Sequence, residues 1–91
     1  MQLSDTFAAS EEVVTREVGG ELVLLDLNSG QYFGLDPVGA RIWELLSEQP
    51  RSLGNLCDAI EAEFDAPRTT IEADLIALVG GLKEQELIVS A

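Results

Sequence analysis

The sequence contains no histidine and a single cysteine, Cys57, among its 91 residues. One cysteine cannot form an internal disulfide, and without histidine the common zinc-ligand spacings are absent. A nucleophile activated by a neighbouring histidine is excluded for the same reason. We therefore expect no catalytic residue, no metal site and no cofactor, and we interpret Cys57 as a small core residue rather than a nucleophile. A reducing compartment, the cytoplasm, fits this cysteine usage.

Basic residues are also scarce, because five Lys and Arg stand against 17 Asp and Glu for a net charge of −12. Nucleic-acid binding depends on clustered Lys and Arg, and anionic membranes attract the same residues. The first ten residues, MQLSDTFAAS, lack the basic and apolar segments of a secretion signal or membrane span. We expect no nucleic acid and no membrane as a partner, which leaves a basic protein or peptide.

The chain is nevertheless rich in hydrophobic residues, which make up 46% of it. That fraction is typical of a folded domain, and 91 residues leave room for one core. Residues 1–12 show no sustained hydrophobic period, so we predict a flexible N-terminal arm there. Residues 13–91 are predicted to form a single domain.

Three strands are predicted at the start of that domain, at residues 13–18, 21–27 and 31–35. Gly19-Gly20 suits a two-residue hairpin turn with Val18 opposite Glu21. Residues 28–30 suit a three-residue loop with Leu27 opposite Gln31. This register predicts an antiparallel meander whose buried face carries Val14, Val18, Val23, Leu25, Leu27, Phe33 and Leu35. The outer face would carry Leu22, Leu24 and Tyr32, covered by the N-terminal arm, by a neighbouring subunit, or by a partner.

Three helices and a short closing segment are predicted to follow. The first begins at Asp36-Pro37, a capping residue followed by a proline at the first helical position. The second spans residues 53–64 behind Ser52 as cap, and the third opens with a capping box of Thr69 and Glu72. Apolar residues at helical spacing predict their buried faces: Val38, Ile42, Leu45, Leu46; Leu53, Leu56, Ile60, Phe64; and Ile71, Leu75, Leu78, Leu82, widened by Ile76 and Val79. Residues 87–89 form a closing strand or a docked tail.

The last strand of the meander, residues 31–35, is predicted to be an edge strand. It contains no lysine, proline or charged residue of the kind that blocks further pairing at an edge. An open edge can accept an extended peptide as an additional strand. Alternatively, the N-terminal arm or residues 87–89 pair with it, and spacing alone does not separate these two interpretations.

The segment DLNSGQYFGLDPVGARIWELL (residues 26–46) and the leucine spacing of the two later helices resemble the PqqD-like domains. These domains recognise the precursors of ribosomally made, post-translationally modified peptides. The resemblance covers residues 13–89, and its most specific part is the strand-turn-strand segment leading into DPVGARIW.

The resemblance implies an α+β fold like a winged helix-turn-helix, with a three-stranded antiparallel meander followed by three helices. It also implies that a leader peptide binds as an added strand against the third strand, in a groove shared with the third helix. The matching positions of this sequence are Tyr32, Phe33, Gly34, Leu35, Asp74, Leu75, Leu78 and Val79. Asp74 would pair with a basic leader residue, and Phe33 belongs either to the groove or to the core.

Within this family, the chain most resembles the free-standing leader-binding proteins of lasso-peptide pathways. The implied partners are the leader peptide, a leader peptidase and a macrolactam-forming cyclase, with the protein itself a monomer or a homodimer. Two alternatives stay open. The protein is either a chaperone that delivers a precursor to a radical-SAM enzyme, or it is a winged-helix transcription regulator. A small hydrolase is disfavoured because the sequence supplies no activated nucleophile.

Overall fold

The computed structural model describes all 91 residues and has the predicted α+β architecture, a three-stranded antiparallel sheet followed by three helices. A second small sheet was not predicted. In chain order the elements are β1 (Thr6–Ala9), β2 (Val13–Val18), β3 (Glu21–Asp26), β4 (Tyr32–Leu35), α1 (Pro37–Glu48), β5 (Arg51–Ser52), α2 (Leu53–Glu63), α3 (Arg68–Glu84) and β6 (Ile88–Ser90). The sheets have the strand orders β2-β3-β4 and β5-β1-β6.

The first hairpin of the meander is confirmed. Gly19 and Gly20 have φ angles of 60° and 86°, in the left-handed region that glycine adopts without a steric penalty. Val18 lies opposite Glu21, as the two-residue turn predicted. Local turn chemistry therefore determines the register of β2 against β3.

The register of β3 against β4 differs from the prediction by one residue, because the loop between them has four residues, 27–30. The N–H of Asp26 donates to the carbonyl of Gln31 at 3.0 Å. The Asp26 carboxylate accepts from the N–H of Asn28 and the hydroxyl of Ser29, each at 3.0 Å. Since side chains alternate between faces, a one-residue slip moves one strand's side chains to the opposite face relative to its neighbour.

The prediction for the faces of β3 was accordingly wrong. Leu24 is fully buried and lies opposite Phe33, and Leu22 is half-buried opposite Leu35. The outer face instead carries Val23 and Leu25, which are half-buried, together with the exposed residues Val14 and Val18, and Leu27 is exposed as well. The outward position of Tyr32 and the inward positions of Phe33 and Leu35 are as predicted.

The N-terminal segment also differs from its prediction. Residues 6–9 of the expected flexible arm form β1, which is the central strand of the second sheet. Phe7 is 2% exposed and joins the main core. The expected closing strand is β6, which pairs with β1 along its length. Thr6 and Phe7 pair on the other side with β5.

Two of the three predicted helix caps are present. The N–H of Gly39 donates to Asp36 Oδ1 at 2.7 Å, and the N–H of Asn55 donates to Ser52 Oγ at 3.1 Å. The capping box at Thr69 is absent, because α3 begins two residues earlier than this cap requires, after Pro67, and has no side-chain cap. Glu72 instead accepts a hydrogen bond from Arg68 Nε at 2.8 Å.

One core of 17 buried hydrophobic residues joins the helices to both sheets. Its α3 members are Ile71, Leu75, Val79 and Leu82, so Val79 replaces the predicted Leu78 at the centre of the helix face. Trp43, which the predicted stripe of α1 omitted, is 3% exposed. None of the helices is both long enough and apolar enough to cross a membrane.

Candidate functional site

The candidate site is the free edge of β4. This strand pairs with β3 on one side and has no strand on its other side. The two segments that could have covered it are engaged elsewhere, because β1 and β6 pair with one another, with Ala9 opposite Ile88. The outer edge of β4 therefore carries main-chain groups that no strand of this chain pairs with.

The register identifies which main-chain groups lie at that edge. In an antiparallel pair, residues whose N–H and C=O face the partner alternate with residues whose N–H and C=O face away. The bond from the Asp26 N–H to the Gln31 carbonyl starts this alternation. Phe33 and Leu35 consequently bond to β3, whereas Tyr32 and Gly34 direct their N–H and C=O groups outward.

Gly34 leaves the edge accessible. A Cβ atom built on this residue would meet no other heavy atom within 4 Å. The backbone of Gly34 does not lie in the left-handed region, so the glycine is not required by strand geometry. A glycine inside a strand often marks a place where another backbone approaches closely, and the open space here permits such an approach.

The side chains of β4 divide between two faces. Tyr32 is 70% exposed on the outer face of the sheet. On the inner face Leu35 is buried, and Phe33 is half-buried against the core. The Phe33 ring thus contacts the core and keeps part of its surface accessible, a position compatible with both alternatives for this residue.

The candidate residues of α3 divide into two that keep accessible surface and two that are buried. Asp74 is exposed and Leu78 is half-buried at the margin of the core. Leu75 and Val79 are 1% and 0% exposed. A peptide on the protein surface would therefore have side-chain surface available at Asp74 and Leu78, while Leu75 and Val79 support the helix from inside the core.

The C-terminal end of α3 lies beside the loop that precedes β4. Residues of that loop and of the helix end line a shallow depression of about 320 Å³, formed by Asp26, Asn28, Ser29, Gln31, Glu84, Gln85 and Glu86. This depression is polar and acidic, whereas Phe33 on β4 and Leu78 on α3 are apolar residues that pack against the core.

The electrostatics of the surface are dominated by carboxylates. Three of the five basic residues are bound to acidic neighbours, with nitrogen–oxygen distances of 2.8 Å for Arg41–Glu63, 3.5 Å for Arg51–Glu48 and 2.7 Å for Arg68–Asp58. The hydrogen bonds that the Arg68 guanidinium donates to Asp58 and then to Glu72 raise the pKa of Arg68. Asp74 takes part in none of these ion pairs, so its carboxylate is available to a cation from outside.

Cys57 lies in the core, as the sequence analysis interpreted it. Its side chain is fully buried, and burial raises the pKa of the thiol above its ordinary value. A protonated, inaccessible thiol is a poor nucleophile and a poor metal ligand. No group of three or more potential metal-ligating side chains lies together in the structure.

Comparison with known proteins gives one family and two close structural matches. The family described as "Coenzyme PQQ synthesis protein D (PqqD)" matches residues 21–88. TbiB1 in complex with the TbiA(beta) leader peptide is 43% identical, with a TM-score of 0.79 over 89% of this chain and 93% of that one. Lasso peptide synthetase B1 complexed with the leader peptide is 30% identical, with a TM-score of 0.78 over 91% and 96%. No curated protein sequence gives a match.

Proposed function

Because this chain belongs to the PqqD family, we propose that it is a non-catalytic protein that binds the leader of a ribosomally made precursor peptide. The leader lies beside β4 as an added strand, and the protein presents it to the leader peptidase and macrolactam-forming cyclase of a lasso-peptide pathway. Two similar proteins are solved with leader peptides bound, and one of them is named as a lasso peptide synthetase. These names support the choice of ligand and of pathway.

The observation that carries the proposal is the unpaired edge of β4. A peptide strand would exchange main-chain hydrogen bonds with Tyr32 and Gly34, whose N–H and C=O groups point outward. About four such bonds at roughly 0.5–1.5 kcal/mol each supply about 2–6 kcal/mol. Micromolar binding requires about 8 kcal/mol, so side-chain contacts must provide the remainder.

Those side-chain contacts come from the margin between β4 and α3. Phe33 and Leu78 are half-buried apolar residues that pack against the core and retain accessible surface. Apolar leader side chains that cover them gain about 25 cal/mol for each Å² removed from water. Asp74, exposed on α3, pairs with a basic leader residue, and the net charge of −12 favours the approach of a basic peptide.

One alternative within the same class is supported by the family itself, whose description is a protein of coenzyme PQQ synthesis. In that alternative the protein delivers its peptide to a radical-SAM enzyme instead of a peptidase and cyclase. The reading frames beside the gene distinguish the two, because they encode the enzymes that act on the peptide. A transcription regulator is disfavoured by the acidic surface, and a gel shift at low salt tests that reading directly.

The deciding experiment compares Gly34→Pro with Gly34→Ala. Proline removes the outward N–H that a peptide strand would bond, yet an edge strand tolerates it because that N–H serves no bond within the sheet. Alanine keeps the N–H and fits the open space. With the leader encoded beside the gene, calorimetry should show that Gly34→Pro weakens leader binding about 5-fold to 100-fold. The loss arises because the Gly34 N–H no longer donates a hydrogen bond and the leader carbonyl that would accept it is left unsatisfied.

Gly34→Ala is the matched control and should change leader affinity by no more than about threefold. Circular dichroism checks that both variants keep the native fold. A folded Gly34→Pro variant that binds the leader as tightly as Gly34→Ala would show that no strand is added at β4.

A further inference from the structure

Strand β2 is the other unpaired edge of the sheet β2-β3-β4. It has six residues, against four in β4, and contains neither proline nor lysine. The Glu12 carbonyl accepts a hydrogen bond from the Leu27 N–H at 2.9 Å, so every second residue from Glu12 onwards bonds to β3. Val13, Thr15 and Glu17 therefore direct their N–H and C=O groups away from the sheet, where no strand of the chain pairs with them.

Arg16 lies on this edge strand without a carboxylate partner. It is exposed, and it forms no ion pair, whereas the three other arginines each bind at least one carboxylate. Glu12 projects from the same face of the strand, because side chains alternate and the two residues are four positions apart. A rise of about 3.3 Å per residue separates them by about 13 Å, which is too far for an ion pair. Arg16 is thus free to pair with a carboxylate of another molecule.

We propose that β2 is a self-association edge, at which a second copy of this chain pairs antiparallel about a two-fold axis at Val14. In this register Val14 lies opposite its counterpart, and Val13 lies opposite Thr15 of the second copy. Each of the two Val13–Thr15 pairs exchanges two main-chain hydrogen bonds. Glu12 of each copy lies opposite Arg16 of the other, and directly opposite residues of opposite charge stabilise a strand pair.

The other two-fold registers fit the sequence less well. An axis at Thr15 places Val14 directly opposite Arg16, and an axis at Arg16 places two arginines opposite each other. Charge complementarity therefore selects the axis at Val14. In that register Glu17 of one copy faces Glu11 of the other, so the pairing ends at residue 16. The dimer is consequently weak, with a dissociation constant of roughly 0.1–1 mM.

The surroundings of β2 accommodate a second copy. A depression of about 400 Å³ lies between β2 and α1 and leaves room for side chains of the partner strand. Glu44 and Glu48 of α1 border the same edge, and their carboxylates are bound by Arg41 at 3.1 Å and by Arg51 at 3.5 Å. More distant charges are screened over about 8 Å at physiological ionic strength. The net charge of −12 therefore weakens the contact without preventing it.

The dimer leaves the proposed leader site free. Its sheet has the strand order β4-β3-β2-β2-β3-β4, with a β4 edge at each end, so each copy keeps the edge beside which a leader would lie. A dimer of this kind presents two precursor peptides at once. Because the dimer contact and the leader site use different strands, self-association can be tested independently of the proposed function.

The test exchanges the two charges of the proposed pair in the full chain. Glu12→Arg and Arg16→Glu are made singly and together, and self-association is measured by sedimentation equilibrium at protein concentrations up to about 1 mM. Each single variant places like charges opposite one another and should weaken the dimer at least about fivefold. The double variant restores both ion pairs in the reverse orientation and should recover the wild-type dissociation constant within about twofold.

Glu12→Arg separates specific pairing from general repulsion. It makes the net charge of −12 less negative, so repulsion alone predicts a tighter dimer, whereas the proposed pairing predicts a weaker one. Circular dichroism checks that every variant keeps the native fold. Wild-type protein that stays monomeric, a Glu12→Arg variant that associates more tightly, or a folded double variant that does not recover would each overturn the inference.

Leader affinity is measured in parallel by calorimetry and should be the same for the wild-type protein and all three variants. Failure of the wild-type protein to bind the leader would refute the proposed function, whatever the result of sedimentation. Leader affinity that falls together with self-association would overturn the inference that the two edges act separately.

Discussion

Replacing Phe7 by alanine tests whether the N-terminal segment is part of the folded domain. Phe7 is 2% exposed, its strand lies between β5 and β6, and its ring lies 5.7 Å from the Lys83 ammonium. Truncation of a buried phenylalanine costs about 3–5 kcal/mol through lost burial and a residual cavity. A domain of 91 residues has a total stability of roughly 5–14 kcal/mol, so Phe7→Ala should remove about a fifth of it or more.

The assay is urea unfolding followed by circular dichroism. For a domain of this size an m-value of about 1–1.5 kcal/mol/M converts the loss into a midpoint lower by about 2 M or more. Val89→Ala on the neighbouring strand β6 is the control, because its side chain is 48% exposed and its truncation should cost less than about 1 kcal/mol. If Phe7→Ala is no more destabilising than Val89→Ala, residues 1–12 form the flexible arm that the sequence pattern predicted, and the second sheet does not contribute to stability.

Two further predictions concern the thiol and the helix side of the candidate site. Burial raises the pKa of the Cys57 thiol in the folded chain above its ordinary value of 9.0. At a pH between the pKa of the unfolded chain and the higher pKa of the folded chain, the unfolded chain releases the thiol proton and the folded chain retains it. Stability should therefore fall above about pH 9, by up to about 1.4 kcal/mol per pH unit, and Cys57→Ala should flatten this part of the curve in urea unfolding from pH 7 to 10.5; equal slopes would contradict it. Leu78→Asp should weaken leader binding at least about tenfold in calorimetry, because it places a charge in the half-buried margin of α3. Ile76→Asp, at a residue that is 41% exposed on the same helix, is its control, and equal losses in the two variants would remove Leu78 from the site.

The features that could be predicted from the sequence are those with a local cause. Gly19-Gly20 fixes a two-residue turn because both residues adopt positive φ. Asp36 and Ser52 start helices because each side chain accepts a hydrogen bond from an N–H three residues later. In each case the residues that determine the structure are neighbours in the chain, so the sequence contains the whole cause.

The register of β4 illustrates where this reasoning fails. The loop before β4 accommodates either three or four residues, and the choice depends on Asp26, whose carboxylate binds Asn28 and Ser29. Because all four central residues of β3, 22–25, are apolar, the hydrophobic pattern fits either face equally well. The one-residue error therefore had no signal to correct it, and it exchanged the buried and exposed residues of β3.

Strand β1 was missed for a different reason. Its four residues have no useful period, and they form a strand only because β5 and β6, distant in the sequence, supply both neighbours. Which of the candidate residues on α3 are buried also depends on contacts with residues distant in the sequence. Leu75, Leu78 and Val79 are all apolar at helical spacing, and only the packing of α3 against α2 and β6 decides that Leu78 keeps accessible surface.

The pairing of β1 with β6 bears directly on the accessibility of β4. Both chain ends are held in the second sheet, so neither supplies a strand to the first. An exposed edge normally risks association with other chains, and proteins limit that risk with charges, prolines, bulges or short strands. β4 uses the last of these devices, since it has four residues and only Tyr32 and Gly34 direct main-chain groups outward. So short an edge would bind any strand weakly through its backbone. We therefore expect the side chains proposed to contact the peptide, on α3 and on the inner face of β4, to determine which peptide is bound.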